Sequence, residues 1–352
     1  MDHDATPELV ARVRAATAAG TSLRIAGGGS KHFYGRPVAG ELLSLHSHAG
    51  ILRHDPAELV LTARGGTPLA AVEALLAGSR QRLPFEPPHF GAQATLGGTV
   101  AAGLAGPARM WAGPLRDFVL GARVLTGDGR VLRFGGEVMK NVAGYDVARL
   151  MAGSLGILGV LLDVSLKVLP QPASARTLAS EVNESSALAR LADLARGALP
   201  ITASAWCNGR LYLRFEGSEA TLDVVERRLG GEVLADAPAF WTSLREQTHP
   251  FFGGSGSLWR CNLPPLAPPL ALGDPPLIEW NGQQRWYRCA DGTTAFAAAA
   301  ASGGHATRFR GGATDADVFT PLPGPLLQLH RALKREFDPA GILNPGRMYA
   351  DL

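Results

Sequence analysis

The sequence predicts an α+β protein in two unequal parts, and three observations carry that expectation. At 352 residues the chain exceeds what one ordinary hydrophobic core holds, which favours two domains. In the first half, short apolar runs end in glycine-rich turns at Gly27-Gly28-Gly29-Ser30, at Gly65-Gly66-Thr67-Pro68 and along Ala94 to Ala108. From Ile201 onward the pattern changes to strand pairs folded about Asn208-Gly209 and Asn281-Gly282, a dipeptide suited to two-residue hairpin turns. Pro170-Gln171-Pro172 separates the halves and is the best boundary in the chain.

Residues 7–19 read as a helix, with Pro7 in the first turn and Leu9, Val10, Val13 and Ala16 at helical spacing. A strand over 23–26 runs into the glycine triplet. A second over 59–63 precedes Gly65-Gly66, and 68–77 forms the next helix. Strands 119–125 and 130–134 flank Thr126-Gly127-Asp128-Gly129, which has the composition of a tight turn. Leu155 to Val168 alternates as a strand and stops at the prolines. Strands 201–206 and 210–216 form a hairpin, and Ser218 to Leu229 follows as an amphipathic helix. A proline-rich connector over 263–270 is expected to be irregular, and strands 277–280 and 285–289 make another hairpin. These units imply a small open α+β sandwich. Pro325 to Phe337 is a final helix before Asp338 to Gly346.

The bulk chemistry excludes several function classes. With 34 basic and 31 acidic residues the net charge is +3, and no lysine- or arginine-rich block is present to neutralise phosphates, so nucleic acid is not an expected partner. Cys207, Cys261 and Cys289 are far apart and form no CxxC pair, which argues against an iron–sulfur cluster or a zinc site in this chain; no metal is expected. Asp2 and Asp4 with no apolar run after them do not make a signal peptide. The uncharged run Pro87 to Ala108 is long enough to span a bilayer. Its glycines, prolines, His89 and Gln93 preclude the helix that spanning needs, so no transmembrane segment is expected.

Three segments point to a bound cofactor. Gly27-Gly28-Gly29-Ser30, at the end of a strand, can present successive N–H groups as an anion nest suited to a pyrophosphate. No Gly-Lys-Ser/Thr closes it, and His32 stands where a dinucleotide fingerprint requires glycine, so on this motif alone a plain turn fits equally well. The stretch 94–108 is nearly free of charge and has glycine at 97, 98, 103 and 106, a composition suited to backbone passing close to a flat buried ligand such as a flavin. The third segment runs from Glu137 through Gly144-Tyr145-Asp146 to Leu150, then Gly153 to Val160. Three such turns on one mixed sheet favour a cofactor cleft over unrelated loops.

In that order, with Arg116 to Gly121 and Thr126 to Gly136 between them, these segments resemble the flavoprotein superfamily of vanillyl-alcohol oxidase and D-lactate dehydrogenase. Pro84 to Gly91 and Phe134 to Asp146 are particularly similar to the FAD-binding E subunits of bacterial glycolate oxidases. The resemblance covers roughly 5–172 and 337–346 well and the middle poorly. It implies a two-subdomain FAD-binding domain of the PCMH type over 1–171. A short ferredoxin-like α+β cap over 172–324 would follow, with 325–352 returning to the FAD domain.

What the resemblance implies for single residues is specific. Gly27, Gly28, Gly29 and Ser30 would cradle the FAD pyrophosphate, and Thr95, Gly97 and Gly98 would lie against pyrophosphate, ribityl chain and ring. The backbone of Val160 would meet the adenine edge. Tyr145, with Asp146, would either touch the flavin or be a hydrogen-bonded core tyrosine. His32 follows Ser-Lys rather than Gly-Gly, so FAD is expected to be non-covalent and His32 peripheral. Lys140 is the single catalytic candidate, as a cation beside flavin or substrate, against the alternative of a solvated lysine.

The function so implied is that of the FAD-binding subunit of a glycolate oxidase complex, oxidising glycolate and other 2-hydroxy acids to 2-oxo acids. Its partners would be a catalytic flavin subunit and an iron–sulfur subunit, in the cytoplasm and peripherally at the inner membrane through them. Catalytic relatives carry His-x-x-x-Asp-Gly-Asn-x-His; here His249, His305 and His330 are isolated. Two alternatives stay open: a stand-alone 2-hydroxy-acid dehydrogenase, and an assembly subunit whose FAD never turns over. The aromatic residues of 238–290 offer a docking surface or, alternatively, fill the second domain's core.

Overall fold

The computed structural model describes residues 2–136, 145–289, 292–312 and 316–352. Helix α1 (Thr6–Ala19) buries Leu9, Val13 and Ala16 and ends at Gly20, whose left-handed φ of 65° lets its N–H return to Ala16 and Thr17 carbonyls. Strand β1 (Leu23–Ala26) pairs in parallel with β2 (Glu41–Ser44). Then come β3 (Ile51–Asp55), β4 (Val60–Arg64), α2 (Leu69–Gly78), β5 (Gln81–Arg82), α3 (Leu96–Ala102) and α4 (Arg109–Ala112). The first half closes with β6 (Val119–Leu125), β7 (Val131–Gly135), α5 (Val147–Leu150), β8 (Val160–Lys167) and β9 (Leu169–Pro170).

Instead of one mixed sheet, the parallel β1–β2 pair stands beside a five-stranded antiparallel sheet in the order β3-β4-β8-β6-β7. Central β8 is buried along nearly its whole length because apolar layers cover both faces. It is shorter than the expected 155–168: Leu155 (φ 54°) and Gly156 (φ 75°) are in the left-handed region, which makes their segment a turn.

The second half is β10 (Ser174–Glu181), α6 (Glu184–Leu194), β11 (Ile201–Cys207), β12 (Arg210–Gly217), α7 (Glu219–Leu229), β13 (Glu232–Val233) and α8 (Ala237–Arg245). It continues with β14 (Ser257–Asn262), β15 (Leu277–Glu279), β16 (Gln284–Cys289), α9 (Gly292–Ala301), β17 (His305–Arg310) and α10 (Gly324–Phe337). Its strands form one eight-stranded sheet, β13-β10-β12-β11-β15-β16-β14-β17. Asn208, Gly209, Asn281 and Gly282 all have positive φ, as the predicted hairpin turns require. The Ser218 hydroxyl caps α7 by accepting from Thr221 N–H.

One face of this sheet packs on α6 and α7 around Leu191, Leu222 and Val225. The other faces the first half: Ala203, Leu258, Leu277, Trp286 and Phe309 meet Tyr34, Ala102, Leu104 and Leu155. Trp241, Trp259, Trp280, Trp286 and Tyr287 are all at most 5% exposed, so these rings fill cores and offer no docking surface.

The C-terminal tail ties back to the first half through a buried polar knot. Lys334 Nζ donates to Asp338 Oδ2 (2.6 Å) and to the carbonyls of Ile157 (2.8 Å) and Leu343 (2.6 Å). Leu23 N–H then donates to Ile342 O, and Asn344 N–H to Leu23 O, extending β1.

Candidate functional site

The three glycine-rich turns converge, and the glycines are demanded first by the protein's own packing. A Cβ on Gly28 would stand 1.4 Å from Gln93 O, one on Gly97 2.8 Å from Gly65 O, and one on Gly65 2.2 Å from Leu161 O. Backbone therefore lies on backbone where β1, β4, β8 and α3 meet. Helix α3 hides inside the glycine-rich stretch: Thr95 Oγ1 caps it by accepting from Gly98 N–H, and Gly103 closes it at φ 63°.

The cleft over this junction holds most of the predicted residues. Gly27, Gly28, Gly29, Ser30, Thr95 and Gly98 line it, with Ala101 and Leu155 as an apolar wall. A contiguous cavity behind shares Gly27, Thr95, Gly98 and Ala101 and adds Gly97, Gly159 and Leu161. Val160 turns its side chain into the core with Val13 and Leu43, while its neighbours on either side line the cavity. Tyr145 is 96% exposed and lines neither space, so it is not a core tyrosine. Lys140 lies outside the described residues.

The structure adds four residues that sequence reasoning missed: Arg24, Lys31, Asn344 and Arg347 all line the cleft. Asn344 clamps its two walls, donating from Nδ2 to Leu155 O (2.7 Å) and accepting from Ile25 N–H (2.8 Å). Arg347 donates to the carbonyls of Arg36 (2.9 Å), His32 (3.1 Å) and Lys31 (3.3 Å), and it makes no ion pair among the described residues. Burial and the neighbouring Arg24 charge hold its pKa below the ordinary value. Burial also pushes Lys31 down to about 8, partly offset by Glu246; its Nζ donates to His89 O (3.2 Å). Burial and the charges of Arg347 and Arg24 lower the His32 pKa as well. A signal for Lys31 was its place directly after Gly27-Gly28-Gly29-Ser30, and for Arg347 its place directly after Asn344-Pro345-Gly346.

This arrangement fits FAD. Among the described residues the N–H groups of Gly28, Gly29 and Ser30 have no internal acceptor, and no carboxylate lines the cleft to neutralise Arg24, Lys31 and Arg347. Unpaired N–H donors beside Arg24 and Arg347, with only Glu246 outside the cleft partly offsetting Lys31, call for an anion such as a pyrophosphate. The adjoining apolar wall suits the flat remainder of the ligand.

Comparison with known proteins decides the family. A family model described as "FAD binding domain" matches residues 4–135, and one described as "FAD linked oxidases, C-terminal domain" matches 320–348. The glycolate oxidase subunit GlcE of Escherichia coli (strain K12) is 48% identical over 99% of this chain and 99% of its own length. The chain belongs to the GlcE family. It is thus an FAD-binding member of the FAD-linked oxidoreductases. The D-lactate dehydrogenase of Archaeoglobus fulgidus is 38% identical over a shorter segment, 27% of this chain and 21% of that protein. Among solved structures, 4-ethylphenol oxidase from Gulosibacter chungangensis shares the fold with a TM-score of 0.71 at 16% identity, covering 100% of this GlcE-family chain and 89% of the oxidase. No helix among the described residues is long and apolar enough to cross a membrane.

Proposed function

We propose that this GlcE-family chain is the FAD-binding subunit of a glycolate oxidase complex that converts glycolate and related 2-hydroxy acids to 2-oxo acids. The observation that carries this reading is the 48% identity to the Escherichia coli subunit along essentially the whole of both chains. The cationic cleft at the glycine junction supports it as the place where the cofactor sits. Bound FAD supplies the two-electron acceptor, and this chain's part is to hold it. Gly27, Gly28, Gly29 and Ser30 with Arg24 and Arg347 take the pyrophosphate, and Thr95, Gly97, Gly98 and Ala101 flank the rest of the molecule. The backbone near Val160 closes the far end. Residues 1–171 and 325–352 form the cofactor unit in this reading, and 172–324 the cap.

The partners are a second, catalytic flavin subunit and an iron–sulfur subunit that takes the electrons on. The complex works in the cytoplasm, held peripherally at the membrane through its partners. FAD is bound without a covalent link, with His32 at the rim. The test is co-expression with the neighbouring subunits and purification through a tag on this chain. The expected product is a yellow complex whose flavin stays in solution after acid precipitation and which reduces a dye when given glycolate. A tagged chain that comes out colourless, alone, or inert towards every 2-hydroxy acid tried overturns the reading.

A further inference from the structure

A further cavity, of about 280 Å³, opens where helix α8 meets the first half. It shares no lining residue with the cofactor cleft or with the cavity behind that cleft. Arg82 on β5, Glu86 and Pro107 come from the first half, and Arg214 on β12 with Trp241 and Arg245 on α8 from the second. Trp241 is fixed by its Nε1, which donates to Thr177 Oγ1 (2.9 Å). Together with Pro107 and Pro238 it gives the cavity an apolar side.

Three guanidiniums stand against Glu86, Glu216 and the nearby Glu246, so the charges balance, but the hydrogen bonds do not. Every oxygen of the two lining carboxylates already accepts a bond. Glu216 takes Arg82 Nη1 (2.9 Å) and Nη2 (2.5 Å), and Glu86 takes Arg214 Nη2 (2.7 Å) and Ala108 N–H (2.9 Å). The guanidiniums, by contrast, keep donors in reserve. Arg82 Nε is buried without a partner. Arg214 spends Nη2 on Glu86 and Nε on Thr202 Oγ1 (3.1 Å), which leaves Nη1 without an acceptor among the described residues. Arg245 gives Nε alone to Glu246 (2.8 Å), whose carboxylate also accepts from His89 and Phe90 N–H. Both Nη groups of Arg245 therefore lack an acceptor among the described residues. A space with spare donors and no unbonded carboxylate oxygen selects a ligand rich in acceptors.

We propose that the α8 cavity binds a small organic anion with a carboxylate head and an apolar, ring-sized body. The head meets Arg245 and Arg214, and the body lies against Trp241, Pro107 and Pro238. Because its walls come from both halves, the ligand bridges them and stabilises their contact. The site is separate from the cofactor cleft, so the anion and FAD are held at the same time.

Benzoate is the probe, since it carries both parts. Isothermal titration calorimetry on the full FAD-loaded chain should show saturable benzoate binding, with a raised melting temperature at saturation and unchanged flavin content. Benzamide keeps the ring and loses the charge, whereas acetate keeps the charge and loses the ring. Each should bind at least about tenfold more weakly than benzoate. Arg245→Gln should lower benzoate affinity at least about tenfold. Thr242→Trp, at an exposed lining position on α8, should fill the cavity and abolish binding while FAD stays bound. Absent benzoate binding, benzamide or acetate binding as tightly as benzoate, or unchanged affinity in either variant each overturns the proposal. Benzoate that displaces FAD overturns it as well, because it then occupies the cofactor cleft. Should Arg245→Gln fail to fold, Thr242→Trp decides, since an exposed helix position tolerates exchange. The subunit reading fails separately, on a colourless or inert complex, and its failure leaves this site standing.

Discussion

The cofactor cleft and the polar cluster at the seam between the halves, Arg260, Glu279, Gln284 and Trp286, are built from opposite materials. The cleft is backbone: Gly28 against Gln93, Gly97 against Gly65, and Gly65 against Leu161 bring three turns within contact distance. The cluster is side chains, projecting from three strands of one sheet. A backbone site is intolerant of any added atom, whereas a side-chain site fails one interaction at a time. The two regions therefore break differently.

The largest effect is expected where the cleft is most purely backbone. Gly28→Val would drive a Cβ into Gln93 O, 1.4 Å away, a contact with main chain that no rotamer change relieves. We expect a loss of more than about 4 kcal/mol of stability, seen as insoluble protein or a collapsed melting transition. This is a loss of fold first and of flavin second, so a colourless Gly28 variant says nothing about ligand contact. A soluble Gly28→Val protein with a normal melting curve would show that the turns do not pack as described.

Ala101 gives the cleaner test of the cleft. It lines both cavities, and its carbonyl accepts from Leu155 N–H, an interaction that a larger side chain retains. Ala101→Phe fills the space instead of splitting the junction. The expected protein is folded and colourless, without the added thermal stability that saturating FAD lends the wild type. Full flavin content in this variant would move the cofactor elsewhere.

The same contrast explains what was legible in the sequence. Helix α1, β1 and both hairpins were readable because period and turn chemistry agree locally, as at Asn208-Gly209. The glycine junction was readable because close backbone approach leaves a compositional trace. Helix α3 was not, since two glycines at 97 and 98 mask a segment whose capping Thr95 is the real start signal. The eight-stranded sheet was underestimated because strands such as β11, buried on both faces at most positions, lose the alternation that identifies them. Arg260, Glu279 and Gln284 sit on separate strands, so nothing local marks them as a group. Arg347 and Asn344 reach the cleft only because the Lys334–Asp338 knot folds the tail back.

Lys31 offers a graded test of the cleft through its charge. Its pKa of about 8 reflects burial, and it lines the cleft that takes an anion. An anion beside it favours the protonated lysine, so binding raises its pKa and takes up a proton. FAD affinity should therefore be highest below about pH 8 and fall as pH rises past it, by at most tenfold per unit. Lys31→Met should bind more weakly at pH 7 with a flat profile, measured by flavin fluorescence titration. An unchanged slope in the variant would assign the pH dependence to another group.

The smallest effect is expected at Tyr145, and it sharpens the comparison from outside both sites. The residue matches the superfamily's Gly-Tyr-Asp segment, yet its side chain is 96% exposed, while the adjacent Asp146 accepts from Arg149 N–H to cap α5. Its own carbonyl accepts from Val147 N–H, a role any residue fills. An exposed phenol with no partner among the described residues contributes little to either site, since surface substitutions of this kind stay within about 0.5 kcal/mol. Tyr145→Phe should leave FAD affinity within about twofold of wild type, because 1.4 kcal/mol corresponds to about tenfold. A tenfold loss would mean that the Tyr145 phenol reaches the bound cofactor and belongs with the side chains that line the cleft.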